Sequence, residues 1–286
     1  MTSLIQGASG VRAPVLGSAL PTISELTEPV NFLITTTVLF GIIFLRYVLM
    51  SGLYHQVFYR WLGRRKPHRV MHEVPGTRQV LKEIGWSALS SVAFAVFFVA
   101  MMVLWDRGYT RVYIDPRDYP LWYLPVSLAV YMFVHETYYY WLHRWMHRPK
   151  VFKRIHKVHH DSFKTSSYTS FSFHPIESIL QAIVIPILLF FIPINVFVLL
   201  VLLLVMTVSA IINHAAVEVY PAGFRKHFAR WVIGSAHHDL HHKQVRYNFG
   251  LYFTVWDRWM KTESPDFDRK FVESTRVEAG EGGAVS

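Results

Sequence analysis

The chain has 286 residues, 52% of them hydrophobic and only 17% charged, with a net charge of +10, 16 histidines and no cysteine. Soluble domains carry roughly 25% charged residues, so this composition points to an integral membrane protein. Without cysteine there are no disulfides, thiolate zinc sites, iron–sulfur clusters or thiol nucleophiles. Any bound metal must be held by imidazole, carboxylate or water. The positive charge does not require nucleic acid as a partner: no nucleic-acid-binding motif is present, and Lys and Arg gather beside apolar runs as they do in cytoplasmic loops.

Taken in order, residues 1–30 read as a loose tail, because Pro14, Pro21 and Pro29 oppose a long helix and no cleavable leader pattern is visible. Residues 31–53 are apolar over the length that crosses a bilayer, with Arg46 close enough to the end to snorkel. Residues 54–83 are basic, which by the positive-inside rule places them in the cytoplasm. Tyr54, Phe58, Tyr59, Trp61 and Leu62 there suit a helix lying in the interface. His55, His68 and His72 lack ligand spacing and read as surface residues. A second span is expected at 84–105, a charge-balanced loop on the far side at 106–120, and a third span at 121–142.

From Ser178 to Asn213 there is no charged residue. A straight helix of that length would be roughly 54 Å long, against a hydrocarbon core of about 30 Å. Pro186 and Pro193 interrupt it, which predicts a helical hairpin that enters and returns on one side. An amphipathic helix is expected around 223–233. The organisation is thus a tail at 1–30, a membrane-embedded domain at 31–262 and a disordered, acidic, Gly-rich tail at 263–286. The fold class is all-α: a polytopic bundle of about three spans plus a hairpin, with a histidine-rich cap on the cytoplasmic face.

Three histidine clusters flank these spans: His143-x-x-x-His147, His156-x-x-His159-His160 and His238-x-x-His241-His242. Residues three and four apart share a helix face, so each cluster can aim its imidazoles at one ion. Neutral imidazole suits zinc, iron, copper and nickel. Eight imidazoles exceed the three or four that one zinc takes and fit two ions better than one. A zinc protease would need H-E-x-x-H, but Thr137, Tyr138 and Tyr139 follow His135-Glu136. A haem protein would need histidines facing each other inside spans, and a transporter would need ligands along them. A non-redox zinc-dependent membrane hydrolase and a metal-binding or transport protein are the competing classes. Asp161, Asp239 and Glu136 are candidates to orient ligating imidazoles.

At these residues the sequence resembles the sterol desaturase and fatty acid hydroxylase superfamily, over about residues 85–260. The three boxes stand in the family's order, separated by a hydrophobic hairpin. Tyr140-Trp141-Leu142-His143-Arg144 resembles its Y-W-x-H-R, Phe173-His174-Pro175-Ile176-Glu177 its H-P-x-E, and His238-Asp239-Leu240-His241-His242 with Asn248-Phe249-Gly250 its H-D-x-H-H and N-Y-G. The resemblance implies a di-iron enzyme, two iron ions per chain with O2 as co-substrate, that hydroxylates or desaturates a membrane lipid. The sterol C5-desaturase branch is the best match; fatty acyl and sphingoid lipids come next.

It also carries the ligand role to the eight box histidines. His214 matches a further family position before the third box, and Glu218 falls where a second histidine would stand. Glu136, Asp161, His174, Glu218, His237, Asp239 and Asn248 are expected around the ligands, with His135 and His237 structural rather than ligating. The chain has no H-P-G-G haem motif and no G-x-G-x-x-G fingerprint, so a separate electron donor of cytochrome b5 or ferredoxin type is implied. Lys150, Lys153, Arg154 and Lys157 could steer an acidic donor. The bacterial inner membrane and the endoplasmic reticulum are both compatible locations, and oligomeric state is not legible.

Overall fold

The computed structural model describes residues 21–221 and 229–275. The chain is 73% helical with almost no sheet. A short 3-10 turn, Ile23–Thr27, precedes helix α1, Pro29–Tyr54. Pro29 opens α1 at a position where its missing N–H costs nothing. The helix runs on without a break to Arg65, so the interfacial segment expected near Tyr54 is a direct extension of the first span. Helix α2 is Thr77–Asp106 and helix α3 is Tyr123–Met146. The charge-free stretch forms α4 (Pro175–Ala182), α5 (Val184–Phe191) and α6 (Val196–His214). Beyond it lie α7 (Ser235–Gln244), α8 (Val255–Trp259) and α9 (Phe267–Thr275).

Among the described residues, three helices are long and apolar enough to cross a membrane by length and composition: Pro29–Arg65, Thr77–Asp106 and Val196–His214. The third expected span, now α3, forms as a helix but is not among them. His135, Glu136, His143 and Arg144 and a run of tyrosines dilute its apolar character, and its buried face is polar. The rising limb of the hairpin, Pro175–Phe191, is likewise too short to span alone.

The hairpin turns at Ile192–Asn195. Its two-residue strand β2, Ile194–Asn195, pairs in parallel with β1, Val112–Tyr113, in the 106–120 loop. Tyr123 and Tyr131, early in α3, donate to the carbonyls of Pro193 (3.0 Å) and Ile192 (2.8 Å). His143 stands about 30 Å beyond Tyr123 along the same helix. The hairpin tip and the histidines therefore occupy opposite ends of the bundle. At the histidine end the basic segment closes over the chain: Met71 N–H donates to Ala216 O at 2.8 Å, and Glu218 N–H to Arg69 O at 2.9 Å.

Two expectations change. The tail from 263 is not disordered throughout, since Phe267–Thr275 is helical and buries Phe267 and Phe271 against Met71, Ala236 and Leu240. The apolar i,i+4 pair gives this charged segment a face to bury. His72 is not a free surface residue: its Nε2 lies 3.6 Å from the buried Asp239. The amphipathic stretch expected at 223–233, with His227, falls largely outside the described residues.

Candidate metal centre

His143 lies in the last turn of α3 and His147 is its C-cap residue. The chain then turns through Phe152–His156 and Lys157–His160, which carry the second cluster. His214 is the last residue of α6, and α7 carries the third cluster. Packing sorts these histidines into two groups that cut across the sequence clusters. His143, His147, His156, His160 and His241 form one; His159, His214, His238 and His242 form the other. Within each group the ligand nitrogens all lie within 4.8 Å of one another. The i,i+4 pairs His143/His147, His156/His160 and His238/His242 each stay in one group, whereas the i,i+3 partners His159 and His241 fall in the other. His156 and His160 share one face and His159 the next, while His241 and His242 diverge by one residue's rotation.

The hydrogen bonds at the outer edge fix how the rings face inward. His143 Nδ1 donates to Phe249 O at 2.8 Å, and His156 Nδ1 to Glu177 Oε1 at 2.8 Å. His159 Nδ1 donates to Ser172 O (3.3 Å), His214 Nδ1 to Ala210 O (2.7 Å) and His241 Nδ1 to Tyr247 O (2.7 Å). A neutral imidazole has one N–H, so each Nε2 in this set presents a lone pair. Yet His143 and His156 stand Nε2 to Nε2 at 3.1 Å, and His159 and His214 at 3.2 Å. Two lone pairs that close repel unless a cation lies between them. Nitrogens each about 2.1 Å from one ion, at right-angled to tetrahedral geometry, are about 3.0–3.4 Å apart. Further ring nitrogens, Nε2 of His147, Nδ1 of His160 and His238, and both of His242, are buried with no hydrogen-bond partner among the described residues. The residues present fit two metal ions.

Burial, reinforced by the neighbouring imidazoles, pushes the pKa of His156, His160, His238 and His242 well below the ordinary histidine value. His159 and His241 shift the same way, again chiefly through burial. The rings are therefore held neutral, the form that binds metal.

Comparison with known proteins places this geometry. The model of the fatty acid hydroxylase family matches residues 128–262, which contain every member of both groups. Over these residues the chain is similar to the fatty acid hydroxylase family. It is 32% identical over 184 residues to human lathosterol oxidase and 36% identical over 184 residues to the mouse enzyme, in each case over 63% of this chain and 60% of the relative. It is 26% identical over 223 residues to a Delta(7)-sterol 5(6)-desaturase of Leptosphaeria maculans, covering 78% of this chain and 58% of that one. The chain thus spans about three fifths of the length of the curated relatives it matches. No solved structure matches it.

The motifs around the boxes have roles that their spacing does not reveal. The N-F-G segment is a clamped loop. Asp257 accepts from Phe249 N–H (2.8 Å) and Gly250 N–H (2.9 Å), and Glu136 accepts from Leu251 N–H (3.1 Å) and Tyr252 N–H (2.8 Å). The loop's carbonyls at Tyr247 and Phe249 are the acceptors for His241 and His143. Gly250 is required because a Cβ there would meet Phe253 O at 2.6 Å and Glu136 Oε1 at 2.9 Å. Asn248 takes a left-handed φ of 64° and ties the loop to the chain on either side. Its Nδ2 donates to His237 O (2.7 Å) and its Oδ1 accepts from Ser264 N–H (2.7 Å).

Several expected neighbours of the ligands act elsewhere. Glu136 positions the loop rather than an imidazole. Asp161 is a half-exposed surface charge paired with Lys82 and Lys157. Asp239 turns away from both groups to Lys243 (2.7 Å) and His72 (3.6 Å), its place on α7 being rotated about 100° from His238. Glu218 joins neither group. It accepts from Tyr220 N–H and Ala236 N–H, both at 3.0 Å, and so caps the N-terminus of α7. His174 caps α4 by accepting from Ile176 N–H at 3.2 Å. His135 meets Tyr252 OH at 3.1 Å, and His237 lies 3.9 Å from Asp257; neither enters a group. Glu177, quoted above only as part of a motif, is among the described residues the carboxylate that contacts an imidazole of the centre. It is the only acid between Asp161 and Glu218, and that isolation was the signal available.

Proposed function

We propose that the protein is a membrane-bound di-iron oxidoreductase that uses O2 to hydroxylate or desaturate a lipid, with sterols the first substrate class and fatty acyl or sphingoid lipids the next. The observation that carries this reading is the pair of imidazole groups whose inward nitrogens are lone pairs with nothing to accept from. The relatives named for lathosterol and Delta(7)-sterols favour the sterol class. All eight box histidines and His214 are assigned as ligands, five to one ion and four to the other.

Bound iron would supply O2 activation and the removal of hydrogen from an unactivated C–H bond, which side chains alone cannot do. The chain's own part is positional. The loop at 247–252 and the carbonyls of Ser172 and Ala210 hold four imidazoles in a single tautomer, Glu177 holds a fifth, and burial limits water at both groups. The lipid enters from the bilayer along the apolar helices. Two electrons per turnover come from a separate donor of cytochrome b5 or ferredoxin type, docking at the cytoplasmic face where the histidine end of the bundle lies. Lys150, Lys153 and Arg154 are exposed there, whereas Lys157 is engaged by Asp161.

The deciding measurement is metal analysis of protein purified without chelators, paired with lipid profiling of a deletion strain with and without O2. About two irons per chain and an O2-dependent loss of hydroxylated or unsaturated lipid are expected. Activity that persists under strict exclusion of O2 would sink the reading.

A further inference from the structure

Glu177 lies at the root of the apolar hairpin, one residue before the charge-free stretch, and is wholly buried. Its Oε1 accepts from His156 Nδ1 at 2.8 Å and from Gln181 Nε2, one turn on, at 2.9 Å. Its Oε2 is buried with no hydrogen-bond partner among the described residues. Burying a carboxylate without full compensation is costly. Holding an imidazole N–H does not require that expense, because His143, His159, His214 and His241 all rest on backbone carbonyls. Among the described residues, His156 is the one member of either group with a carboxylate on its outer nitrogen.

We propose that Glu177 is a positioning residue that makes the two metal-binding groups unequal: through His156 it adds anionic character to the five-histidine group alone. A carboxylate behind an imidazole fixes its tautomer and raises its basicity as a ligand. Gln181 keeps the acceptor oxygen aimed at the ring. The five-histidine group therefore binds its ion more tightly than the four-histidine group, and the difference depends on the charge at 177. The inference rests on the metal-centre reading above.

The test is a titration of stripped, nanodisc-embedded full-length protein with Co(II), read by its visible absorption, for the wild type, Glu177→Gln and Gln181→Met. Wild type should take up two equivalents of unequal affinity. Glu177→Gln keeps an acceptor for His156 but loses the charge, and the tighter equivalent should weaken roughly 10–100-fold with the weaker one unmoved. Gln181→Met, which retains the carboxylate, should weaken the same equivalent by less. Two equivalents unchanged in Glu177→Gln, or both weakened alike, would overturn the assignment. If the wild type binds no Co(II), the metal-centre reading fails first and takes this inference with it.

Discussion

His214 and His238 meet Nε2 to Nε2 at 2.9 Å, although one ends an apolar helix and the other lies on the helix of the third cluster. His214 also stands 3.2 Å from His159 in the same sense. A single histidine outside the three boxes thus links the second and third of them. His214→Ala should cost the ion of the four-histidine group, so bound iron should fall by roughly half. Metal analysis against His227→Ala checks this, and unchanged metal content would remove His214 from the ligand set.

Glu136 acts at one remove. Glu136→Leu would leave the buried N–H groups of Leu251 and Tyr252 without acceptors, at about 1–3 kcal/mol each. A clear fall in melting temperature is expected, together with reduced metal retention, because the same loop orients His143 and His241. Glu136→Gln keeps an acceptor oxygen and should lose less. Thermal unfolding of the two variants separates them, and a Glu136→Leu protein that melts like wild type contradicts the clamp.

Acid should act on the folded chain through the same rings. The buried box histidines have pKa values pushed below the unfolded value of about 6.5. Above that value both states are neutral and pH has no effect. Below it the unfolded chain takes up protons that the folded chain refuses, so stability falls as pH falls, by up to about 1.4 kcal/mol per pH unit for each histidine. Metal-free protein should therefore melt at a constant temperature from pH 8 to 7 and at progressively lower temperatures at pH 6 and 5. A profile flat down to pH 5 would contradict the burial of neutral rings.

Reversing Lys150, Lys153 and Arg154 to Glu should slow donor-driven turnover at low ionic strength and flatten its dependence on salt, since exposed charges steer association over about a Debye length. Turnover driven by a small uncharged reductant should be unaffected. Equal salt dependence in wild type and variant would rule out this face as the docking surface.

Phe271 packs behind the third cluster, with Phe267, against Ala236 and Leu240. Phe271→Ala should destabilise the fold by about 3–5 kcal/mol, and truncation after Glu263 by at least as much. Melting temperature and protease sensitivity of α7 report it. Wild-type stability after truncation would show that α9 does not support the centre.

Much of the membrane architecture follows from short-range signals. Apolar run length marked the first two spans and the returning limb of the hairpin, Pro193 stood at its turn, and spacings of three and four identified the box histidines. These work because helix geometry is local: residues one turn apart share a face whatever surrounds them. Local spacing keeps the i,i+4 pairs together, but which pair meets which is non-local. That His156 sides with His143 and His159 with His214, that Glu177 rather than Asp161 or Asp239 backs an imidazole, and that Glu218 caps a helix instead of ligating depend on contacts between residues up to about a hundred positions apart. Nearby carboxylates look alike in a sequence, and only packing decides which one is desolvated against a ring and which is left in water. The sequence by itself determined that this chain would gather imidazoles at one end of a helical bundle. The tertiary structure decided which of them face one another, and what stands behind each.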